Sequence, residues 1–99
     1  MEKYNESLVI NQGKVVLKFS ASWCVWCKRL QPVLDRVMEH YDSIRFIEVD
    51  IDTYEHLFDQ YHLSVVPTLV LLDNGKIVDT LVNPQAVDII EQGLEKLNG

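Results

Sequence analysis

The sequence predicts an α/β domain with a central mixed sheet of about four strands flanked by helices. Three observations predict it. β-rich runs alternate with segments whose apolar residues recur at helical spacing. A long helical segment separates the first two β-rich runs, which makes those strands parallel with a right-handed crossover. The last two runs flank Asp73-Asn74-Gly75, and an Asn-Gly pair between β-rich runs closes an antiparallel hairpin. The chain has 99 residues and shows no repeat, linker or low-complexity tract, so residues 1–99 are read as one domain.

The elements follow in order. Tyr4, Leu8 and Val9 predict a short N-terminal helix that Gly13 ends. Val15 to Ser20 is the first strand. From Val25 to about Tyr41, residues Leu30, Val33, Leu34, Val37, Met38 and Tyr41 form one apolar helical face, which predicts burial on that side. Pro32 falls inside this helix and removes a backbone donor, so a kink is expected about two turns after the cysteines. Ile44 to Asp50 is the next strand. Asp52 with Glu55 reads as a capping box opening a helix whose apolar face is Tyr54, Leu57, Phe58 and Tyr61. Thr68 to Leu72 and Lys76 to Val82 make the hairpin. A last helix is expected from Asn83 as cap, with Pro84 in its first turn and Val87, Ile90, Leu94 and Leu97 buried. Gly93 weakens that helix by about 1 kcal/mol relative to Ala.

Composition narrows the function classes. Apolar residues make up 47% of the chain, enough for one core without added disulfides or metal. The net charge of −6 repels phosphate backbones and anionic lipid, so neither nucleic acid nor membrane partners are expected. Met1-Glu2-Lys3-Tyr4-Asn5-Glu6 shows no basic stretch followed by an apolar one, so no secretory signal is read there. The longest apolar run, Val65 to Leu72, is too short to span a bilayer and is broken by Pro67. A reducing cytoplasm is the expected location.

The chemistry concentrates at Cys24 and Cys27, the two cysteines of the chain, which lie between a strand-like and a helix-like segment. A bridge between them would close a loop of a few residues and remove little unfolded-chain entropy. The start of a helix, by contrast, stabilises a thiolate through its unpaired N–H groups and its dipole. Reversible dithiol chemistry is therefore favoured over a structural disulfide.

At this point the chain resembles the thioredoxin family over nearly its whole length. The resemblance rests on Ala21-Ser22-Trp23-Cys24-Val25-Trp26-Cys27-Lys28, on Pro32, on Val49-Asp50-Ile51-Asp52, on Val65-Val66-Pro67-Thr68 and on Asn74-Gly75. A lone CxxC is weak, but Trp-Cys-x-x-Cys-Lys after a strand, with Val-Pro-Thr some forty residues on, is specific. The resemblance implies a thioredoxin-like fold and a protein-disulfide oxidoreductase. Cys24 matches the exposed nucleophile and Cys27 the partly buried resolving thiol. Pro67 matches the family's cis-proline, beside which Val66 would offer its backbone to an extended substrate peptide. Trp23, Val25, Trp26, Val66, Pro67 and Asn83 are the residues expected to meet the substrate. The partners implied are disulfide-containing proteins and a thioredoxin-reductase-type flavoprotein, with the chain acting as a monomer and without a cofactor. The hairpin, and the lack of a Gly-Gly-Asp-type loop after it, argue against the glutaredoxin family.

Four departures from the family pattern stand out. Val25-Trp26 stands between the cysteines in place of Gly-Pro. Thiol couples run from about −270 mV in thioredoxin to about −200 to −230 mV in glutaredoxins, and the missing first-turn proline predicts a couple less reducing than thioredoxin's. Lys18 stands where thioredoxins usually have a buried aspartate, and Glu48 where they usually have its lysine partner. Both lie inside adjacent strands, so they are expected to form a charge-swapped pair beneath Cys27, with Glu48 accepting the proton during resolution. Asn83-Pro84 replaces Gly-Ala in the loop beside the substrate groove. The chain also begins some eight residues late, so the family's first strand is expected to be absent.

His40, His56 and His62 lie far along the chain from the cysteines, and tetrahedral zinc needs four ligands, so no metal site is expected. Two function classes remain open on the sequence. One is the oxidoreductase; the other is a binding module that keeps the fold, docks a partner through Trp26, Val66 and Asn83, and turns over weakly or not at all.

Overall fold

In the computed structural model, which describes residues 1–98, the chain forms β1 (Glu2–Lys3), β2 (Lys14–Ser20), α1 (Val25–Met38), β3 (Arg45–Asp50), α2 (Glu55–Gln60), β4 (Thr68–Asp73), β5 (Lys76–Val82) and α3 (Val87–Asn98). The strands make one mixed sheet in the order β1-β3-β2-β4-β5. β1, β3 and β2 are parallel neighbours, whereas β4 pairs antiparallel with both β2 and β5. The 14-residue α1 supplies the long crossover that parallel β2 and β3 need. At the hairpin, Asn74 and Gly75 have φ of 49° and 84°, a turn with both central residues left-handed, which matches the twist of paired strands.

Strand alternation sorts the core into two layers. Val15, Leu17 and Phe19 of β2, with Ile47, Val49, Val70 and Leu72, pack against Leu57 of α2 and the N-terminal segment. Val16, Phe46, Leu69 and Leu71 face the other way, onto Leu30, Leu34 and Val37 of α1 and Ile90, Leu94 and Leu97 of α3. Each such side chain, fully buried, stabilises the fold by about 1.5–3 kcal/mol. A Cβ on Gly93 would meet Leu81 Cδ1 at 3.0 Å and Leu71 Cδ2 at 3.2 Å, so the residue that weakens α3 also lets it lie close against the sheet. The same alternation fixes the site. Lys18 follows Val16, and Glu48 follows Phe46, by two residues, so both side chains project onto the α1 face of the sheet.

The fold class is the expected one, but four local expectations need correction. The sheet has five strands, because β1 occupies the edge: Glu2 and Lys3 pair with Ile47 and Glu48, and the Tyr4 N–H donates to the Glu48 carbonyl at 2.8 Å. Two residues carry no periodicity, so this strand is silent in the sequence. The N-terminal helix does not form. Asn5 accepts the Ser7 N–H on its side chain at 3.0 Å, and such local bonds compete with helix; Tyr4, Leu8 and Ile10 reach the core from an irregular segment instead. The Asp52/Glu55 capping box is also absent. Tyr54 caps α2 without a side-chain bond, and the nearby turn is held by Asp50, whose carboxylate accepts from Asp52 N–H at 3.1 Å and from the Thr53 hydroxyl at 3.0 Å. The last helix begins at Val87 rather than after Asn83, because Asn83 has φ of 47° and donates its N–H to the Pro67 carbonyl at 2.8 Å. Pro32 lies inside α1, which runs unbroken from Val25 to Met38.

Candidate active site

Cys24 is the N-cap of α1, with the extended backbone (φ −92°, ψ 111°) that such a position requires. Its Sγ accepts the Cys27 N–H at 3.1 Å, which satisfies one of the amides a helix start leaves unpaired. The same sulfur lies 3.8 Å from the Val66 carbonyl, to which the thiol donates. The Val66–Pro67 peptide is cis. Both cysteines are free thiols.

The two sulfurs differ less in access than the sequence implies. Cys24 is 6% exposed and Cys27 3%, because Ala21, Ile51 and Val66 close over the pair. They differ in their partners. Burial first, and then the hydrogen bond with Cys24, push the Cys27 thiol up to about 12, against the opposing pull of a backbone bond at Ala21 and of the Lys18 charge.

Behind Cys27 the sheet supplies a charged cluster. Lys18 and Glu48 are register partners on β2 and β3. Lys18 Nζ lies 3.2 Å from Glu48 Oε2 and donates to Gln31 Oε1 at 2.6 Å. The Ser20 hydroxyl donates to the same Glu48 oxygen at 3.1 Å. The Lys18 side chain is 4% exposed, whereas that of Glu48 is 31% exposed. Among the described residues no buried side-chain nitrogen or oxygen lacks a partner. Cys27, Lys18, Ser20, Gln31, Glu48 and Tyr54 are among the residues that line an open cleft of about 640 Å³, which Cys24, Val66 and Trp26 do not reach.

The front of the site is apolar and open. Trp23, Val25, Trp26 and Val65 are exposed by 44% to 63%. Trp23 donates its indole N–H to Asp52 Oδ2 at 3.0 Å, so it spans the motif and the β3–α2 loop. Gln85 ties the far side together, its Nε2 donating to the Trp26 carbonyl at 3.1 Å and to Asn83 Oδ1 at 2.7 Å. The Arg29 guanidinium carbon sits 4.9 Å from the centroid of the Trp26 ring.

The structure thus brings Cys24, Trp26, Val66, Pro67 and Asn83 together on one side, and Cys27, Lys18 and Glu48 on the other. Sequence reasoning missed Ser20, Gln31, Asp52, Gln85 and Arg29. Ser20 and Gln31 had a signal, since Ser20 shares the face of Lys18 two residues on and Gln31 lies one helical turn after Cys27. Arg29 likewise follows Trp26 at helical spacing. Gln85 had none, because its contacts run through an irregular loop. Among the described residues no three His, Cys, Asp or Glu side chains are grouped to hold a metal ion, and no helix is long and apolar enough to cross a membrane.

Comparison with known proteins gives a consistent result. The thioredoxin family model matches residues 1–96. Bovine mitochondrial thioredoxin is 35% identical over 97 residues, which cover 97% of this chain and 58% of the relative. Rice thioredoxin H5 is 37% identical over 91 residues, covering 91% of this chain and 67% of the relative. The chain spans about three fifths of the length of the first curated relatives it matches. Among solved structures, the thioredoxin of Malassezia sympodialis superposes with a TM-score of 0.80 at 26% identity, over 91% of this chain and 81% of that one.

Proposed function

The chain belongs to the thioredoxin family, and from that premise we propose that it is a thiol–disulfide oxidoreductase acting on protein disulfides through Cys24 and Cys27. The observation that carries this reading is the Cys24 sulfur itself, seated as a helix cap on the Cys27 N–H and beside the Val66 carbonyl. A sulfur held this way has a charge-assisted donor waiting for it when it becomes a thiolate.

The reaction runs in two exchanges. The Cys24 thiolate attacks one sulfur of the substrate disulfide, the substrate S–S bond breaks, and the first substrate thiolate leaves and takes up a proton. Cys27 then loses its proton and attacks the Cys24 sulfur of the mixed disulfide, which forms the Cys24–Cys27 disulfide and releases the second substrate thiolate. Two electrons pass from the dithiol to the substrate. The second exchange is the demanding one, because burial raises the Cys27 thiol well above its ordinary range and makes its thiolate scarce at pH 7. Glu48 lines the same cleft as Cys27 and acts as the proton acceptor, while the Lys18 charge favours the Cys27 thiolate by proximity and holds Glu48 in place.

Substrates on this reading are disulfide-containing proteins whose extended segment meets Trp23, Val25, Trp26 and Asn83 and adds along the Val66–Pro67 backbone. A thioredoxin-reductase-type flavoprotein restores the dithiol, the setting is a reducing compartment such as the cytoplasm, and the working unit is the monomer. Insulin reduction driven by dithiothreitol tests the reading. The chain should accelerate it, and Cys24→Ser should lower that rate by at least about 100-fold. A rate no greater than that of the variant would leave the fold as a docking module.

A further inference from the structure

The oxidoreductase reading leaves open how a substrate is chosen, and the rim beside Cys24 bears on that choice. The chain carries nine lysines and arginines against 15 acids. Among the described residues, the cations in ion pairs are Lys18, Arg45 and Lys96. Lys28 and Arg29, which follow directly on Cys27, are exposed and face no carboxylate within ion-pair distance. Arg29 is nonetheless held. Its guanidinium lies over Trp26, where the indole ring attracts a cation.

The Trp26 main chain is tied in beneath it. Its carbonyl accepts from Gln85, Gln85 also donates to Asn83, and Asn83 donates its N–H to the Pro67 carbonyl. A continuous run of contacts therefore links Arg29 through Trp26, Gln85 and Asn83 to the Pro67 backbone beside Cys24. With no carboxylate at ion-pair distance, the Arg29 guanidinium over Trp26 keeps N–H donors that fit a carboxylate fork. Because the stack has already ordered the side chain, engaging a carboxylate costs less rotamer entropy than with a free arginine.

We infer that Arg29, held over Trp26, makes the site prefer disulfides whose flanking segment carries Asp or Glu. This deepens the oxidoreductase reading and rests on it. The attraction acts at short range against the net negative charge of the chain, so the preference belongs to the docked encounter and weakens with salt. Trp26 contributes the platform under the guanidinium, whereas Lys28 lines the separate cleft beside Cys27.

Stopped-flow reduction of two synthetic peptides tests it, each with the same disulfide and flanked either by Asp-Glu or by Gln-Gln, using the full reduced chain. The acidic peptide should react about fivefold faster at low ionic strength, the size expected of one unit-charge contact in water. Arg29→Gln should bring the ratio below about twofold, Arg29→Lys should keep part of it, and Arg29→Glu should invert it. Equal rates with the wild-type chain, or an advantage that survives Arg29→Gln, would overturn this inference and leave the oxidoreductase standing. Failure to reduce either peptide would remove both.

Discussion

Cys24 is surrounded by loops and helix ends, whereas Cys27 is backed by the middle of a sheet. Around Cys24 the contacts are the helix cap, the Val66–Pro67 backbone and the Asn83–Gln85 loop, with exposed Trp23, Val25 and Trp26 in front. Cys27 instead shares one cleft with Lys18 and Ser20 of β2, Glu48 of β3 and Gln31 of α1, which are bonded to one another. On the proposed mechanism, the difference teaches that two sulfurs of nearly equal burial take separate work from their surroundings. On that mechanism, loops let a partner approach, and strands hold charges at fixed spacing where the proton is transferred.

The largest effect should come from breaking the Cys27 side alone. Glu48→Gln should slow release of the mixed disulfide by about 100-fold, the lower end of what a positioned base contributes, while leaving its formation near the wild-type rate. Release in that variant should rise steeply between pH 7 and 10, because hydroxide then replaces the lost acceptor, and the wild-type profile should be flatter. Single-turnover kinetics separate the two steps. A parallel loss in both steps would show that the two sides are not independent.

A smaller effect is expected on stability. A fully buried ion pair that loses one partner costs about 3–5 kcal/mol. The pair here should show less, because Glu48 is about a third exposed and Gln31 also accepts from Lys18. A double-mutant cycle over Lys18→Leu and Glu48→Leu should give a coupling of about 1–2 kcal/mol, and the double leucine chain should be at least as stable as either single variant. Additivity within about 0.5 kcal/mol would mean the contact contributes nothing.

The smallest effect is the alkaline limb of stability. Cys27 and Tyr41 are both pushed up to about 12, from 9.0 and 10.0, chiefly by burial. The folded chain therefore keeps protons that the unfolded chain has already released. Their contribution is complete below about pH 9 and is lost as pH rises toward 12. Urea midpoints should be level from pH 7 to 9 and then fall. Cys27→Ala should flatten the fall from about pH 9, and Tyr41→Phe that from about pH 10; unchanged slopes would count against buried, protonated groups at these positions.

The comparison also explains what the sequence made legible. Lys18 and Glu48 could be paired in advance because they stand where thioredoxins usually carry a buried aspartate and its lysine partner, inside strands that the long helix between them makes parallel. The Asn74-Gly75 turn was legible too, since its geometry admits few other residues. The loop side was not. Asn5, Asp50 and Asn83 each take backbone N–H groups or commit their own, and those bonds replaced an expected helix, an expected capping box and an expected helix start. The near-closure of Cys24 was hidden as well, because Ala21, Ile51 and Val66 come together only in the folded chain.

The division of labour between the sulfurs is tested most directly by alkylating the reduced chain with iodoacetamide at pH 7 and following each cysteine by peptide mass spectrometry. With exposures of 6% and 3%, access alone would make the two rates similar. Cys24 accepts the Cys27 N–H at the helix start, whereas burial holds Cys27 protonated, so Cys24 should react at least about 100-fold faster. Rates equal within about twofold would contradict the assignment of attack to Cys24 and resolution to Cys27.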